Sequence, residues 1–169
     1  LTKNSIRFAG VGGQEMEREG LKSLFPMEEL SIMGVFEIFP HLTRLFRRIR
    51  ETSQTINYLQ PTVVITIDAP AFAHSVATRI KNRTILRIHY VAPTVWAWRP
   101  WRVKKFQRHF HHLLALLPFE PKLFLKSGLP CTFVGHPIIE SGADKGDGKL
   151  FRSNHSISPS TPILCVLVG

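Results

Sequence analysis

Short apolar segments alternate with helical segments along this sequence, and that alternation limits the fold more strongly than any other feature. Four runs rich in β-branched residues are predicted strands, at 62–67, 84–90, 113–117 and 132–134. Helices are predicted between them, near 71–81, 100–110 and 119–126. Strands that alternate with helices form a mainly parallel sheet with right-handed crossovers. The sequence therefore predicts an α/β fold, with a Rossmann-like, mainly parallel sheet and helices on both faces.

The two ends of the chain suggest further elements. Residues 6–9 are a predicted strand, followed by a short helix near 14–18. From 140 to 162 the composition shifts to Gly, Ser, Asp, Asn and Pro, which is typical of a linker. A lone predicted strand, Ile163–Val168, follows. We expect residues 1–139 to form a first domain, 140–162 an interdomain linker, and 163–169 the first strand of a second domain.

The net charge indicates an anionic partner. The chain has 22 Lys and Arg residues against 12 Asp and Glu, a formal net charge of +10. Nucleic acid, an anionic bilayer surface and phosphorylated sugars would all be attracted. Basic and aromatic residues interleave from Trp98 to Phe106, as in proteins that bind single-stranded nucleic acid, but no RNP, KH or helix-turn-helix pattern accompanies them. Cys131 and Cys165 are isolated thiols, and His109, His111 and His112 lack further ligands at metal-binding spacing, so neither a metal nor a cofactor is expected.

Polar and aromatic residues follow each predicted strand of the sheet. They are Asp68, the group Trp96, Trp98 and Arg99, then Glu120, and finally His136. In an open α/β sheet, ligands bind outside the carboxyl ends of the strands. We therefore expect these residues to line one binding site.

Each of these residues has a chemical role and an ordinary alternative. Asp68 is the best candidate for a general base, and the alternative is a cap of the next helix. Arg99 could clamp a phosphate with paired donors while Trp96 and Trp98 cover a sugar, although one Trp is expected to pack in the core. Glu120 and His136 either line the site or serve as helix caps or hinge contacts.

A basic amphipathic helix is predicted from Pro40 onward. Its apolar positions follow helical spacing, with Arg on the remaining faces. The helix either packs on its own sheet or faces a bilayer. The residues assigned to the bilayer are Phe36, Phe39, Leu42, Arg44, Leu45, Phe46, Arg47, Arg48 and Ile49.

Several motifs resemble those of the lipid-A-disaccharide synthase family. They are Ile67–Pro70, His89–Arg99, Leu114–Glu120, Phe133–Pro137 and, near the start, Met27–Gly34. The resemblance implies a bacterial, inverting glycosyltransferase of the GT-B type, built from two Rossmann-like domains. Such an enzyme joins UDP-2,3-diacylglucosamine to 2,3-diacylglucosamine 1-phosphate, forming lipid A disaccharide 1-phosphate and UDP. The resemblance also implies a cytoplasmic protein that is peripheral on the inner face of the cytoplasmic membrane. No nucleic-acid partner is expected.

The chain departs from that family's pattern at several positions. Ala71, Trp101 and His111 stand where an Asp, a Gly and an Asp are usual, and Val168 replaces the Pro of a loop in the UDP-sugar domain. The family's opening strand and Gly-rich loop are not found before Leu1. We therefore expect the acceptor-side half of such an enzyme, truncated at both ends and inactive alone. The alternative is a non-catalytic basic module that binds an anionic membrane or single-stranded nucleic acid.

Overall fold

A computed structural model describes residues 6–30, 35–93, 102–142 and 144–166, with only the backbone at 35–41 and 102. The helices are α1 (Gln14–Arg18), α2 (Val35–Leu59), α3 (Pro70–Ala77), α4 (Arg102–Gln107), α5 (Glu120–Leu125) and α6 (Gly148–Asn154). The strands are β1 (Val63–Ile67), β2 (Leu86–Tyr90), β3 (His112–Ala115) and β4 (Cys131–Phe133). Two 3₁₀ helices span Met27–Leu30 and Pro137–Glu140.

The four strands form one parallel sheet in the order β1-β2-β3-β4. Helices occupy the connections, so the predicted α/β, Rossmann-like sheet is confirmed. Because every strand runs in the same direction, all four carboxyl ends meet at one edge. We call this the carboxyl edge, and the residues that follow the strands there are Asp68, Val91, Leu116 and Val134. The amino edge is the opposite one, where the strands begin.

The hydrophobic core lies on one face of the sheet. Leu113 and Ala115 of β3 are fully buried there, in a cluster with Phe106 of α4 and Phe124 of α5. Ala73 of α3 belongs to the same cluster. Successive strand residues point to opposite faces, so this face also receives the second and fourth residues of β2.

Alternation in β1 and β2 leaves apolar residues on the other face exposed. Val63, Ile65 and Ile67 are 38%, 56% and 47% exposed, whereas the polar Arg87 and His89 of β2 are 8% and 0% exposed. Polar residues on a strand are ordinarily the solvent-facing ones. In β2 this pattern is reversed, because His89 shares its face with the core residue Leu113, its register partner.

Two predicted strands and one predicted helix start differ from the structure. Residues 6–9 form no strand, since only Gly10 pairs, in an isolated bridge to Ser23, and a strand requires a neighbour along its length. Helix α2 begins at Val35, so Pro40 lies inside it, where its missing N–H removes one helical hydrogen bond. Residues 163–166 form no strand either, and the rest of that predicted strand lies outside the described residues.

The chain divides into two compact units, Leu1–Gly135 and His136–Gly169. The second contains α6, and the Asp147 carboxylate caps this helix by accepting from the N–H groups of Lys149 and Leu150. None of the helices in the described ranges combines the length and the apolar character needed to cross a bilayer.

Candidate active site at the carboxyl edge of the sheet

The backbone is strained at the carboxyl edge. Asp68, Ala69 and Val91 have φ values of 49°, 43° and 72°, which L-residues rarely adopt, β-branched Val least of all. Each such residue costs on the order of 1–3 kcal/mol and persists only where its surroundings impose it. Here the Asp68 N–H donates to Tyr90 O at 2.9 Å, and the Val91 N–H donates to Leu114 O at 3.1 Å. Strain of this kind clusters at functional sites, so it marks this edge as a candidate site.

Asp68 presents an exposed carboxylate at this strained turn. Helix α3 follows directly, but its N-cap residue is Ala69, and no side chain caps the helix. The Asp68 carboxylate therefore does not perform the capping role that was its ordinary alternative. A carboxylate that is exposed and beyond the end of a strand can reach the proton of a bound hydroxyl group.

His89 lies under this edge and was missed by sequence reasoning. Its Nδ1 is 2.7 Å from the Thr66 hydroxyl, and its ring centroid is 5.2 Å from Phe106 and 5.3 Å from Phe110. Burial lowers the pKa of His89 to about 4, against the smaller opposing effect of the Asp68 charge. The imidazole is therefore neutral at pH 7. In the sequence of β2, polar and apolar residues alternate, and that pattern indicates that His89 faces solvent.

Glu120 has a local structural role. Its side chain is 3% exposed, and its Oε2 accepts from the Leu117 N–H at 2.9 Å. The carboxylate thus closes the turn between β3 and α5. No side chain caps α5 itself, and substrate binding by Glu120 stays a prediction.

The remaining predicted site residues stay predictions. His136 is exposed, accepts from the Ile138 N–H through Nδ1 at 3.1 Å, and belongs to the second unit. Trp96, Trp98 and Arg99 lie outside the described residues. Nowhere in the described ranges do three His, Cys, Asp or Glu side chains group so that they could hold a metal ion.

Two residues assigned to a bilayer face the protein instead. Arg48 donates to Glu29 at 2.7 and 2.8 Å and to Glu51 at 2.7 Å, and its guanidinium lies 4.5 Å from the Phe25 ring centroid. Ile49 is 3% exposed. These two side chains therefore serve packing in the described structure, and we do not carry them into the proposed membrane surface.

Other side chains of α2 stay exposed. Arg44 and Arg47 are exposed, and so is Phe46 at 58%. Leu42 and Leu45 are half-buried. The side chains of Phe36 and Phe39 lie outside the described residues.

The fold and this edge together define an α/β domain with a candidate ligand site at the carboxyl ends of parallel strands. Sequence comparison makes the class specific, since the lipid-A-disaccharide synthetase family matches residues 1–169. The chain belongs to this family.

Three relatives named lipid-A-disaccharide synthase illustrate the similarity. The protein from Rhodospirillum centenum is 51% identical over 97% of this chain, and that from Granulibacter bethesdensis is 48% identical over 98%. The protein from Gluconobacter oxydans is 46% identical over 98%. These alignments cover 41%, 42% and 40% of the respective relatives, so the chain spans well under half of their length.

Proposed function

We propose that these 169 residues form the acceptor-side part of a glycosyltransferase of lipid A biosynthesis. The enzyme would join UDP-2,3-diacylglucosamine to 2,3-diacylglucosamine 1-phosphate and release UDP. Family membership supports the class of reaction. One observation carries the assignment to this chain. The Asp68 carboxylate is exposed on a strained turn at the carboxyl edge and does not cap the helix that follows. UDP release from the two lipids tests it, measured in a full-length enzyme that carries these residues, with Asp68 intact and with Asn in its place.

The proposed chemistry gives Asp68 one task. The acceptor hydroxyl oxygen forms a bond to the donor's anomeric carbon while the bond from that carbon to the UDP oxygen breaks, and the diphosphate leaves with the electron pair. Asp68 accepts the hydroxyl proton as the oxygen attacks, from about 2.6–3.2 Å. Attack from the face opposite UDP inverts the anomeric centre.

Substrate recognition is proposed for residues around this base. Arg99 would hold the acceptor phosphate through paired N–H donors, with Trp96 and Trp98 against the sugar. A substrate contact by His136 stays a prediction. Glu120 would act indirectly, by fixing the turn that follows β3.

The remainder of the polypeptide would supply what this part lacks. A parallel sheet is normally covered on both faces, yet Val63, Ile65 and Ile67 are exposed here. We propose that 1–139 is the acceptor domain, that 140–162 connects it to a UDP-sugar domain, and that 163–169 opens that second domain.

Exposed side chains of α2 are proposed to bind the cytoplasmic face of the inner membrane. Both substrates carry acyl chains that stay in the bilayer. Arg44 and Arg47 would attract anionic headgroups, each contributing roughly 1 kcal/mol, while Phe46 enters the headgroup region. The half-buried Leu42 and Leu45 would contribute less, because they already contact the protein.

Removing this basic surface is expected to weaken binding to anionic vesicles. Arg44→Gln combined with Arg47→Gln should lower the vesicle partition constant roughly 30-fold, the equivalent of about 2 kcal/mol. Co-sedimentation with phosphatidylglycerol-containing vesicles measures the effect. Lys104→Ala combined with Lys105→Ala, which removes two exposed charges from α4, is the matched control and should bind as the parent does. Tight single-stranded DNA binding that only the Lys variant abolishes would contradict the membrane assignment and favour a nucleic-acid partner.

A further inference from the structure

A buried arginine at the amino edge of the sheet lacks an anionic partner. Arg87, the second residue of β2, is 8% exposed, and its Nε has no hydrogen-bond partner among the described residues. Within the same ranges no carboxylate forms an ion pair with it. A guanidinium withdrawn from water is costly unless an anion and hydrogen-bond acceptors replace the solvent. Arg87 therefore has unused donor capacity.

His111 adds a second unused donor beside it. The backbone N–H of Arg87 donates to His111 Nδ1 at 3.1 Å, so in the neutral ring the proton must be on Nε2. That Nε2 lies 3.4 Å from Arg87 Nη2, which is also a donor. Two N–H groups consequently face each other, and an oxygen placed against both would accept from each.

The surroundings are positively charged. Arg83 and Arg108 are exposed on the segments next to this point, and His109, which follows Arg108, is half-buried. Burial lowers the pKa of His109, and the charges of Arg87, Arg108 and Arg83 lower it further. From residue 69 to residue 119 the sequence contains no Asp or Glu. The local field thus favours an anion that reaches this edge from solvent.

We propose that Arg87 and His111, with Arg83 and Arg108 around them, form an oxyanion site for a phosphate group. A phosphate presents several oxygens to the planar guanidinium and to the imidazole N–H at once, and charge-assisted bonds of this type are the stronger ones. The site is separate from Asp68, because four residues of strand between Arg87 and Val91 span about 13 Å. The phosphate belongs either to a free ion or to a lipid headgroup.

Phosphate titration of the 169-residue chain tests the proposal. Inorganic phosphate, added at constant ionic strength against sodium chloride, should cause saturable NMR shifts of the Arg87 Nε–H and of the His111 ring. Arg83→Gln combined with Arg108→Gln leaves the buried residues in place and should weaken phosphate binding about tenfold or more. Arg50→Gln removes an exposed charge from α2 and should leave the affinity unchanged.

Vesicles distinguish the two sources of phosphate. Phosphatidylcholine vesicles with phosphatidylglycerol, but not phosphatidylcholine alone, should compete with inorganic phosphate for Arg87 if the ligand is a headgroup. Phosphate binding without such competition assigns the site to a soluble phosphate compound. Absence of a saturable shift at Arg87 with both probes would overturn the proposal, as would an Arg50→Gln variant that loses affinity as strongly as the Arg83/Arg108 variant does.

Discussion

Replacing Asp68 with Asn in a full-length enzyme that carries these 169 residues is expected to lower kcat by a factor of about 10²–10⁴. The amide has nearly the shape of the carboxylate but cannot accept the hydroxyl proton. Asp68 uses its side chain neither to cap α3 nor to pair with another described residue, so the fold should tolerate the change. Steady-state UDP release measures kcat, and KM for the acceptor should change far less, because the proton moves only in the transition state.

Asp144→Asn is a matched control for the loss of one carboxylate. Asp144 is exposed and lies in the second unit, outside the proposed site. This variant should keep the parent rate. The assignment of Asp68 as the base would be contradicted if Asp68→Asn kept near-full kcat while unfolding at lower urea concentration than the parent, since that result indicates a structural carboxylate.

Acid should destabilise the folded chain through its buried imidazoles, His89 above all. The pKa of His89 is lowered by burial from 6.5 to about 4, so between these values the unfolded chain binds the proton and the folded chain does not. The stabilising contribution is therefore complete above about pH 6.5 and is lost as the pH falls towards 4. Its full size is about 3 kcal/mol, of which about 2 kcal/mol is lost by pH 5. Burial also lowers the pKa values of His74 and His109, which adds in the same direction.

Urea unfolding between pH 5 and pH 7.5 measures this contribution. His89→Gln keeps a partner for the Thr66 hydroxyl but cannot titrate, so its unfolding free energy should depend less steeply on pH. His155→Gln alters a histidine that is exposed in the second unit and should keep the parent's slope. A His89→Gln variant with the parent's full slope would show that other groups carry the acid sensitivity.

The sequence predicts the sheet well because its signal is repeated. Each β-branched run is followed by a helical stretch, and parallel pairing follows from that order. Which face of a strand is buried is not encoded so plainly. Arg87 and His89 alternate with apolar residues and indicate solvent exposure, yet His89 lies among Phe106 and Phe110, which come from a later segment.

Only part of the candidate site could be predicted from the sequence, because some of its features depend on distant segments. The position of Asp68 at a strand end follows from local sequence, but the positive φ of Ala69 and Val91 depends on neighbouring strands that hold the turn. A carboxylate after a strand can serve substrate or backbone, and nothing local distinguished Asp68 from Glu120. Arg48 likewise sits on the predicted helix, but its partner Glu29 comes from outside that helix.

UDP release by the 169 residues, alone and joined to the remainder of the Rhodospirillum centenum relative, tests the acceptor-side role most directly. Alone, the chain should release no UDP above a blank from the two lipid substrates, because the leaving diphosphate has to be bound and its charge stabilised by the proposed second domain. Joined to that remainder, the same residues should support UDP release that depends on both lipids. Turnover by the 169 residues alone would contradict the account, and so would a folded but inactive fusion under conditions in which the intact relative is active.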